Sequence, residues 1–196
     1  SDRLAHLIQD IIDLSRLQAD DPLTRAELVD VDDLVTRTVD EVRTLADSSH
    51  VELVEAAPCG AAVLGERTQL QTALRNLLVN AVSYSPPATK VAVEARTVGS
   101  LVEIMVKDQG IGIPASELDR IFERFYRVDP ARSRATGGTG LGLSIVKHVC
   151  QNHGGEVRVW SETGVGSTFV LRLPVYAGDG PVGQDAHISL VEELPS

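Results

Sequence analysis

Hydrophobic residues recur every three or four positions between Glu66 and Ser83, and this spacing predicts a helix with one apolar face. At about 100° per residue, Asn76 and Asn80 fall with Ser83 on the opposite side. Two interpretations of that polar side stay open: it is the solvated face of an amphipathic helix, or its amide oxygens point at a metal or polar ligand. The apolar face comprises Leu70, Leu74, Leu77, Leu78 and Ala81.

Four other stretches show the same helical period. Residues 1–18 carry an apolar stripe too wide for one helix to bury, so we expect a partner helix in this chain or another. A second helix should end near Ser48, with Asp32 or Asp33 as its N-cap. A short helix is predicted over 116–122 and a longer one over 140–152.

Alternation of apolar and polar residues predicts short strands between these helices. Two pairs of strands are joined by glycine-containing turns at 98–100 and 162–166, as in β-hairpins. Helices followed by hairpins predict an α+β sandwich, with the helices on one face of a mixed, mostly antiparallel sheet. The predicted strands are 28–31, 51–55, 61–64, 90–95, 101–106, 156–160 and 167–173.

The formal net charge of −10 over 196 residues argues against a nucleic-acid partner held by phosphate contacts. A small phosphorylated ligand is still compatible, since it needs only a local group of donors. The two cysteines, Cys59 and Cys150, match no metal-binding spacing and are expected to be free thiols. No apolar run approaches the roughly 18 residues of a membrane span, so we expect a soluble chain, and its start within a helix suggests a piece of an anchored protein.

Glycines cluster in three turns, at 110–112, 138–142 and 164–166. Glycine permits positive φ and a close approach of backbone N–H groups to an anion, and the second cluster opens a helix whose N-terminus attracts phosphate. The third cluster is equally a plain hairpin turn, and none matches a Walker A loop or a dinucleotide fingerprint. Asp108 precedes the first cluster, where it is either a turn-forming carboxylate or an acceptor for an exocyclic amine at the bottom of a pocket.

Five motifs follow one another along the chain, at 76–84, 108–113, 122–127, 137–143 and 164–169. In this order they resemble the N, G1, F, G2 and last glycine boxes of the ATP-binding catalytic domain of bacterial sensor histidine kinases. These kinases belong to the Bergerat-fold (GHKL) superfamily with DNA gyrase, heat-shock chaperone and mismatch-repair ATPases. The opening helix resembles the second helix of the dimerisation and phosphoacceptor hairpin, and the run 123–149 resembles actinobacterial phosphate-starvation sensor kinases.

The resemblance implies a two-layer Bergerat sandwich within a chain of four parts. A dimerisation helix would occupy 1–20, a linker 21–28 and the ATP-binding domain 29–175. The Gly-, Asp- and Pro-rich composition of 176–196 predicts a disordered acidic tail. The chain would be the cytoplasmic portion of a membrane-anchored bacterial kinase that is a homodimer at full length. Its expected partners are a response regulator and its own phosphoacceptor helices, with no nucleic acid.

The resemblance also implies roles at the base and metal end of the site. Asn80 would ligate Mg²⁺ through its amide oxygen, with Asn76 beside it, because a hard cation that bridges ATP phosphates suits oxygen ligands. Asp108 would accept a hydrogen bond from the adenine amino group, and Tyr84 would lie along the adenine. The residues that would complete this end are Gly110, Gly112, Ile113 and Thr168.

At the phosphate end, the resemblance implies that the backbone of the G2 box holds the ATP phosphates. Arg134, or alternatively Arg132, would reach the γ-phosphate from a lid at 127–139. Ser83 stands where the family often has Lys, so one phosphate-binding cation is absent. The G2-box residues with this implied role are Gly138, Gly140, Leu141, Gly142 and Leu143.

The implied function is transfer of the γ-phosphoryl group of Mg-ATP to a histidine, for relay to a response-regulator aspartate. The chain has no His-Glu-x-x-Thr-Pro motif, so this fragment is expected not to autophosphorylate alone. One alternative is a hydrolysing ATPase or clamp, which needs a Glu four residues before the metal Asn; that position holds Asn76, which cannot act as a base. The other is a non-catalytic, nucleotide-gated binding module, which the Ser83 departure would favour.

Overall fold

A computed structural model describes residues 2–19, 25–128 and 138–178 of the chain. Its helices are α1 (Asp2–Ala19), α2 (Val31–Ser48), α3 (Arg67–Tyr84) and α4 (Gly142–Asn152). Its strands are β1 (Glu27–Asp30), β2 (Val51–Glu55), β3 (Ala62–Gly65), β4 (Thr89–Val98), β5 (Leu101–Lys107), β6 (Glu156–Glu162) and β7 (Gly166–Pro174). Each strand expected from the alternating pattern is present, with ends that differ by a few residues.

The main sheet has five strands in the order β2-β4-β5-β7-β6. Only the β2–β4 pair is parallel, and the other three pairs are antiparallel. Strands β1 and β3 form a separate antiparallel pair. The predicted α+β sandwich with a mixed, mostly antiparallel sheet is therefore confirmed.

The core lies between one face of this sheet and the layer formed by α2, α3 and α4. In β7 the inward-facing side chains of Phe169, Leu171 and Leu173 are buried, as period-2 alternation requires. The apolar face predicted for α3 is also buried, with Leu74 and Leu78 fully inaccessible. Burial of this face leaves the polar side of α3 directed away from the core.

Helix α1 is packed along α4 over part of its apolar stripe. Leu14 and Leu17 are buried there, and the Leu17 carbonyl accepts a hydrogen bond from Asn152 Nδ2 (3.1 Å). The earlier part of the stripe is not covered by the described residues, because Leu4 is 62% exposed. Further exposed members of the stripe are Ile8, Ile11 and Ile12.

Two local predictions are wrong. Helix α2 is capped by Asp30, which accepts from the Asp33 N–H (2.9 Å), and not by Asp32 or Asp33. The predicted helix at 116–122 is only a single 3₁₀ turn, Ala115–Glu117, followed by further turns. A segment this short gains too few backbone hydrogen bonds to offset the cost of helix nucleation, so tertiary packing decides its path.

The predicted chain divisions shift slightly at their ends. Strand β1 begins at Glu27, within the expected linker 21–28, and Tyr176 still donates its N–H to the Ala62 carbonyl (2.8 Å). Residues 20–24, the lid residues 129–137 with both candidate arginines, and 179–196 of the expected tail lie outside the described residues. The four-part organisation therefore stays a prediction.

Candidate nucleotide-binding site

A cavity opens between the polar side of α3, the turn after β5 and the N-terminal end of α4. Its polar groups are few, and most of its wall is apolar, which is the usual character of a small-molecule site. It brings together nine of the predicted site residues: Asn80, Tyr84, Asp108, Gly112, Ile113, Gly138, Gly140, Gly142 and Leu143. Its apolar wall is completed by Ala81, Ile111, Ile121 and Phe169.

Asp108 is a buried carboxylate directly after β5, with a side chain held on one oxygen only. Its Oδ1 accepts from the backbone N–H groups of Gly110 (2.8 Å) and Ser167 (3.1 Å). Within the described residues, no hydrogen bond falls on Oδ2. Burial raises the pKa of Asp108, and the two N–H donors partly offset that rise. The second oxygen can therefore accept a donor from a ligand in the cavity.

The neighbouring wall is formed by Ser167, and the predicted residue Thr168 does not line the cavity. Ser167 lines the cavity, and its carbonyl accepts from the Asp108 N–H (2.9 Å). Thr168 lies opposite Lys107 on β5 and Trp160 on β6, on the outer face of the sheet. The sequence contained a signal for this, because Ser167 is in phase with the apolar residues Phe169 and Leu171 and Thr168 is not.

The turn after Asp108 requires glycine at two positions. A Cβ on Gly110 would lie 2.7 Å from the Tyr84 carbonyl oxygen and 2.9 Å from Asp108 Oδ1. Gly112 has φ of +70°, and a Cβ there would overlap the Glu162 carbonyl. Gly110 does not line the cavity; it holds the turn against the end of α3, so its contribution is to position Asp108.

The polar side of α3 supplies Asn80 and Tyr84 to the cavity. Asn76 lies one turn earlier and does not line it, but its Nδ2 is buried without a hydrogen-bond partner among the described residues. A Cβ placed on Gly142 would be 3.6 Å from the Asn76 side chain, so this amide lies against the start of α4. A buried amide without a partner costs free energy, which is compatible with a group that pairs with a ligand.

At the other end of the cavity, the chain enters α4 through Gly138, Thr139 and Gly140. Gly140 has φ of +79°, and its carbonyl accepts from the Phe125 N–H (2.8 Å). Thr139 Oγ1 donates to Asp10 Oδ2 on α1 (2.5 Å). Leu141 is a core residue, 1% exposed, and can offer a ligand only its backbone.

The two phenylalanines of the F box have different environments. Phe122 packs edge-on against Phe169, with ring centroids 6.4 Å apart, as expected of a core residue. Phe125 is 61% exposed and has φ of +63°, so it is not a core residue. A positive φ is unfavourable for a bulky side chain, and the contact of Phe125 with Gly140 helps to maintain it.

Arg127 is a cavity residue that the sequence reasoning did not single out. It lines the wall together with Tyr126, whose ring lies 4.2 Å below the Arg120 guanidinium. No ion pair of Arg127 is recorded among the described residues. Its place at the end of the F box, as the first residue of the predicted lid, was the available signal. Arg127 can thus offer a cation to an anionic ligand.

No metal cluster is built from protein side chains alone in this part of the chain. Among residues 2–19, 25–128 and 138–178, no group of three or more His, Cys, Asp or Glu residues could hold a metal ion. Any cation here would need the amide oxygen of Asn80 together with oxygens of a bound ligand. Such an all-oxygen set fits Mg²⁺, which binds through few protein ligands and substrate phosphates.

Comparison with known families assigns this architecture. Residues 65–177 match the model of the histidine kinase-, DNA gyrase B- and HSP90-like ATPases. The chain belongs to this ATPase family. Within the family, it is 33% identical to a solved mycobacterial sensor histidine kinase, MprB, with a TM-score of 0.66, covering 76% of this chain and 97% of that one.

Curated relatives of this family member are sensor kinases. SenX3 of Mycolicibacterium smegmatis, named a sensor-like histidine kinase, is 51% identical over 90% of this chain and 46% of the relative. WalK of Bacillus subtilis, a sensor histidine kinase, is 33% identical over 89% of this chain and 29% of the relative. Full-length ShkA, solved in complex with AMPPNP, is 28% identical with a TM-score of 0.78, covering 92% of this chain and 38% of that one.

The resemblance to sensor histidine kinases is therefore confirmed at the level of the family. The chain spans about half the length, or less, of the curated relatives it matches. No described helix is both long enough and apolar enough to cross a membrane.

Proposed function

We propose that this chain is the catalytic portion of a two-component sensor histidine kinase. It binds Mg-ATP and transfers the γ-phosphoryl group to a histidine on a phosphoacceptor helix outside this chain, for relay to a response-regulator aspartate. The single observation that carries this proposal is the cavity with a buried carboxylate at one end and a glycine-rich helix start at the other. These two ends are joined by the polar side of α3.

The end of the cavity near Asp108 suits an adenine. Its free Oδ2 is an acceptor for the 6-amino group, and guanine would instead direct its 6-oxo group at this carboxylate. Ser167 beside it carries a hydroxyl that can donate to the ring nitrogen next to the amino group. Tyr84 and the apolar wall at Ile111 and Ile113 offer surfaces for the ring.

The end near α4 suits the phosphates. The N-terminus of α4 and the backbone of Gly138 and Gly140 favour anions, through free N–H groups and the helix dipole. Arg127 provides a cation at this cavity, which offsets the absence of a Lys at Ser83. Asn80 would hold Mg²⁺ together with phosphate oxygens, and the ion would neutralise charge on the phosphates.

Transfer to a histidine is favoured over hydrolysis by what the cavity contains. Asp108 is the one carboxylate among the described lining residues, and no histidine lines the described wall. Asp108 is held by Gly110 and Ser167 at the base-binding end, in the turn that packs against the carbonyl of Tyr84. A water near the phosphates would therefore find no general base among the described lining residues at that end.

The exposed stripe of α1 supports the proposal of partner helices. A homodimer of the full-length kinase would cover Leu4, Ile8 and Ile11 by helix packing, together with the phosphoacceptor helix. We propose a cytoplasmic location for this portion, within a membrane-anchored sensor. A response regulator receives the phosphoryl group from the histidine. We propose no nucleic-acid partner for this chain.

Calorimetric titration of the chain with Mg-ADP tests the binding step. We expect binding that weakens at least tenfold in Asn80→Ala, since hydrogen bonds and metal contacts of charged ligands contribute about 1.5–3 kcal/mol. Asn152→Ala is the matched control, because its amide binds the Leu17 carbonyl outside the cavity. Equal affinities in all three proteins would exclude Asn80 from the site, and absence of binding would refute the function.

A further inference from the structure

Ser161 lies at the end of β6, on the inner face of the sheet, where Val157 and Val159 precede it in the same row. It does not line the cavity. Its hydroxyl accepts from the Ile113 N–H (2.8 Å). It also lies 3.1 Å from the Gly166 carbonyl and 2.8 Å from Ser167 Oγ. One small polar side chain thus joins the glycine turn, the β6–β7 hairpin and the cavity wall.

The proton count of this group has a consequence for Ser167. A hydroxyl has one proton to donate and two lone pairs to accept with. When Ser161 donates its proton to the Gly166 carbonyl, Ser167 must donate to Ser161 Oγ and can only accept a hydrogen bond from a ligand in the cavity. With the Ser161 proton on Ser167 Oγ, the proton of Ser167 is free to point into the cavity. Ser161 therefore governs whether the wall beside Asp108 donates or accepts.

The same bonds fix the position of Asp108. Ser167 donates its N–H to Asp108 Oδ1 and accepts from the Asp108 N–H, so a displacement of Ser167 moves the carboxylate. Ile113 is the far end of the glycine turn that carries the second donor, Gly110. Both supports of Asp108 are thereby connected to the Ser161 hydroxyl.

We propose that Ser161 is a positioning residue that sets the base selectivity of the cavity, by orienting the Ser167 hydroxyl and the turn that ends at Ile113. When Ser161 directs its proton to Ser167 Oγ, a ligand edge with a donor beside an acceptor meets Asp108 as acceptor and Ser167 as donor. Adenine presents this order, and guanine presents the reverse. The inference rests on the proposed nucleotide binding and deepens it at the base end.

The test measures displacement of a fluorescent ADP analogue by Mg-ADP and by Mg-GDP from the full chain and its variants. In Ser161→Ala we expect ADP affinity to fall about fivefold to tenfold, the effect of about one hydrogen bond, while GDP affinity changes less than about twofold. Ser161→Thr keeps the hydroxyl and should restore the ADP to GDP ratio to within about twofold. Thr38→Val is the matched control, since it removes a buried hydroxyl that donates only within α2.

Each outcome decides between alternatives. A selective loss of ADP binding with rescue by Ser161→Thr supports the positioning role. Equal losses of ADP and GDP affinity would show that Ser161 is a structural residue and would overturn the inference. Unchanged affinities for both nucleotides would overturn it as well. If the unsubstituted chain binds neither nucleotide, the proposed function itself fails, and this inference fails with it.

Discussion

Replacement of Asp108 by Asn isolates the oxygen that faces the cavity. Both protein hydrogen bonds of the carboxylate fall on Oδ1, and the amide oxygen of Asn can keep them. The change is then confined to Oδ2, where an acceptor becomes an N–H donor opposite the adenine amino group. Loss of a hydrogen bond to a charged acceptor costs about 1.5–3 kcal/mol, so we expect Mg-ADP affinity to fall about 10- to 150-fold.

The stability of Asp108→Asn should not fall in parallel with binding. Burial raises the pKa of Asp108, so this side chain favours folding most in its protonated, neutral form. Its contribution to the free energy of unfolding is lost as pH rises through the folded pKa. The ionised group is therefore a net cost to the folded chain near pH 7. Asn removes this cost, and the free energy of unfolding should stay level or rise.

Asp32→Asn is the matched control, because Asp32 also accepts from two backbone N–H groups. Burial acts to raise its pKa, but the bonds from Cys59 (2.9 Å) and Gly60 (2.8 Å) outweigh it and lower the pKa overall. These bonds fall on different oxygens, so Asn must place an N–H against an N–H. We expect a loss of about 1–3 kcal/mol in unfolding free energy, with unchanged nucleotide affinity.

Calorimetry with Mg-ADP and urea unfolding at pH 7 measure both quantities on the same three proteins. Opposite patterns are expected: binding lost and stability kept in Asp108→Asn, binding kept and stability lost in Asp32→Asn. Normal ADP affinity in Asp108→Asn would refute the assignment of Oδ2 to the ligand. A loss of stability that matches the loss of binding would show that the carboxylate is a structural group instead.

Two further predictions concern the packing around α3 and α4. His153 Nε2 accepts from the Glu66 N–H (3.0 Å), and burial lowers the His153 pKa, so the stability that this bond provides is present above about pH 6.5 and is lost as pH falls through the lower folded pKa. The urea midpoints at pH 7.5 and pH 5.5 should differ more in the natural chain than in His153→Phe. The same difference in midpoint for both proteins would contradict this role. Gly140→Ala should lose more than about 1 kcal/mol of unfolding free energy, because φ is +79° and a Cβ would lie 2.9 Å from Phe125 Cα, whereas Gly142→Ala, with 3.6 Å to its nearest neighbour, should change it by less. Thermal unfolding of the two variants checks this difference, and equal losses would argue against the Phe125 contact.

The sequence predicted those parts of the site whose residues follow the regular period of a helix or a strand. The apolar face of α3 predicted that Asn76 and Asn80 lie on the opposite, polar side of the helix. The strand pattern before Asp108 predicted that its carboxylate lies at the end of that strand. Thr168 was one residue out of phase, although the same period-2 rule applied to Phe169 would have selected Ser167. These positions depend on local geometry, which a sequence pattern records.

Features that arise from tertiary contact were not predictable in this way. The segment at 116–122 follows its packing against the core and not helix propensity, so its helical prediction was wrong. Phe125 takes a positive φ at the point where Gly140, just before α4, lies against it. The place of Arg127 in the cavity wall likewise depends on elements that are distant along the chain, and so do the hydrogen bonds of Ser161. No periodic pattern encodes such contacts.

The most direct test of the kinase proposal mixes this chain with a separate pair of phosphoacceptor helices that carries the histidine, in the presence of terminally labelled Mg-ATP. We expect label on the helix pair that is acid-labile and alkali-stable, as expected of phosphohistidine, and no label on this chain. Asn80→Ala should abolish the transfer, and Asn152→Ala should leave it intact. Release of labelled free phosphate without any label on the helix histidine would contradict phosphotransfer and identify a hydrolysing ATPase.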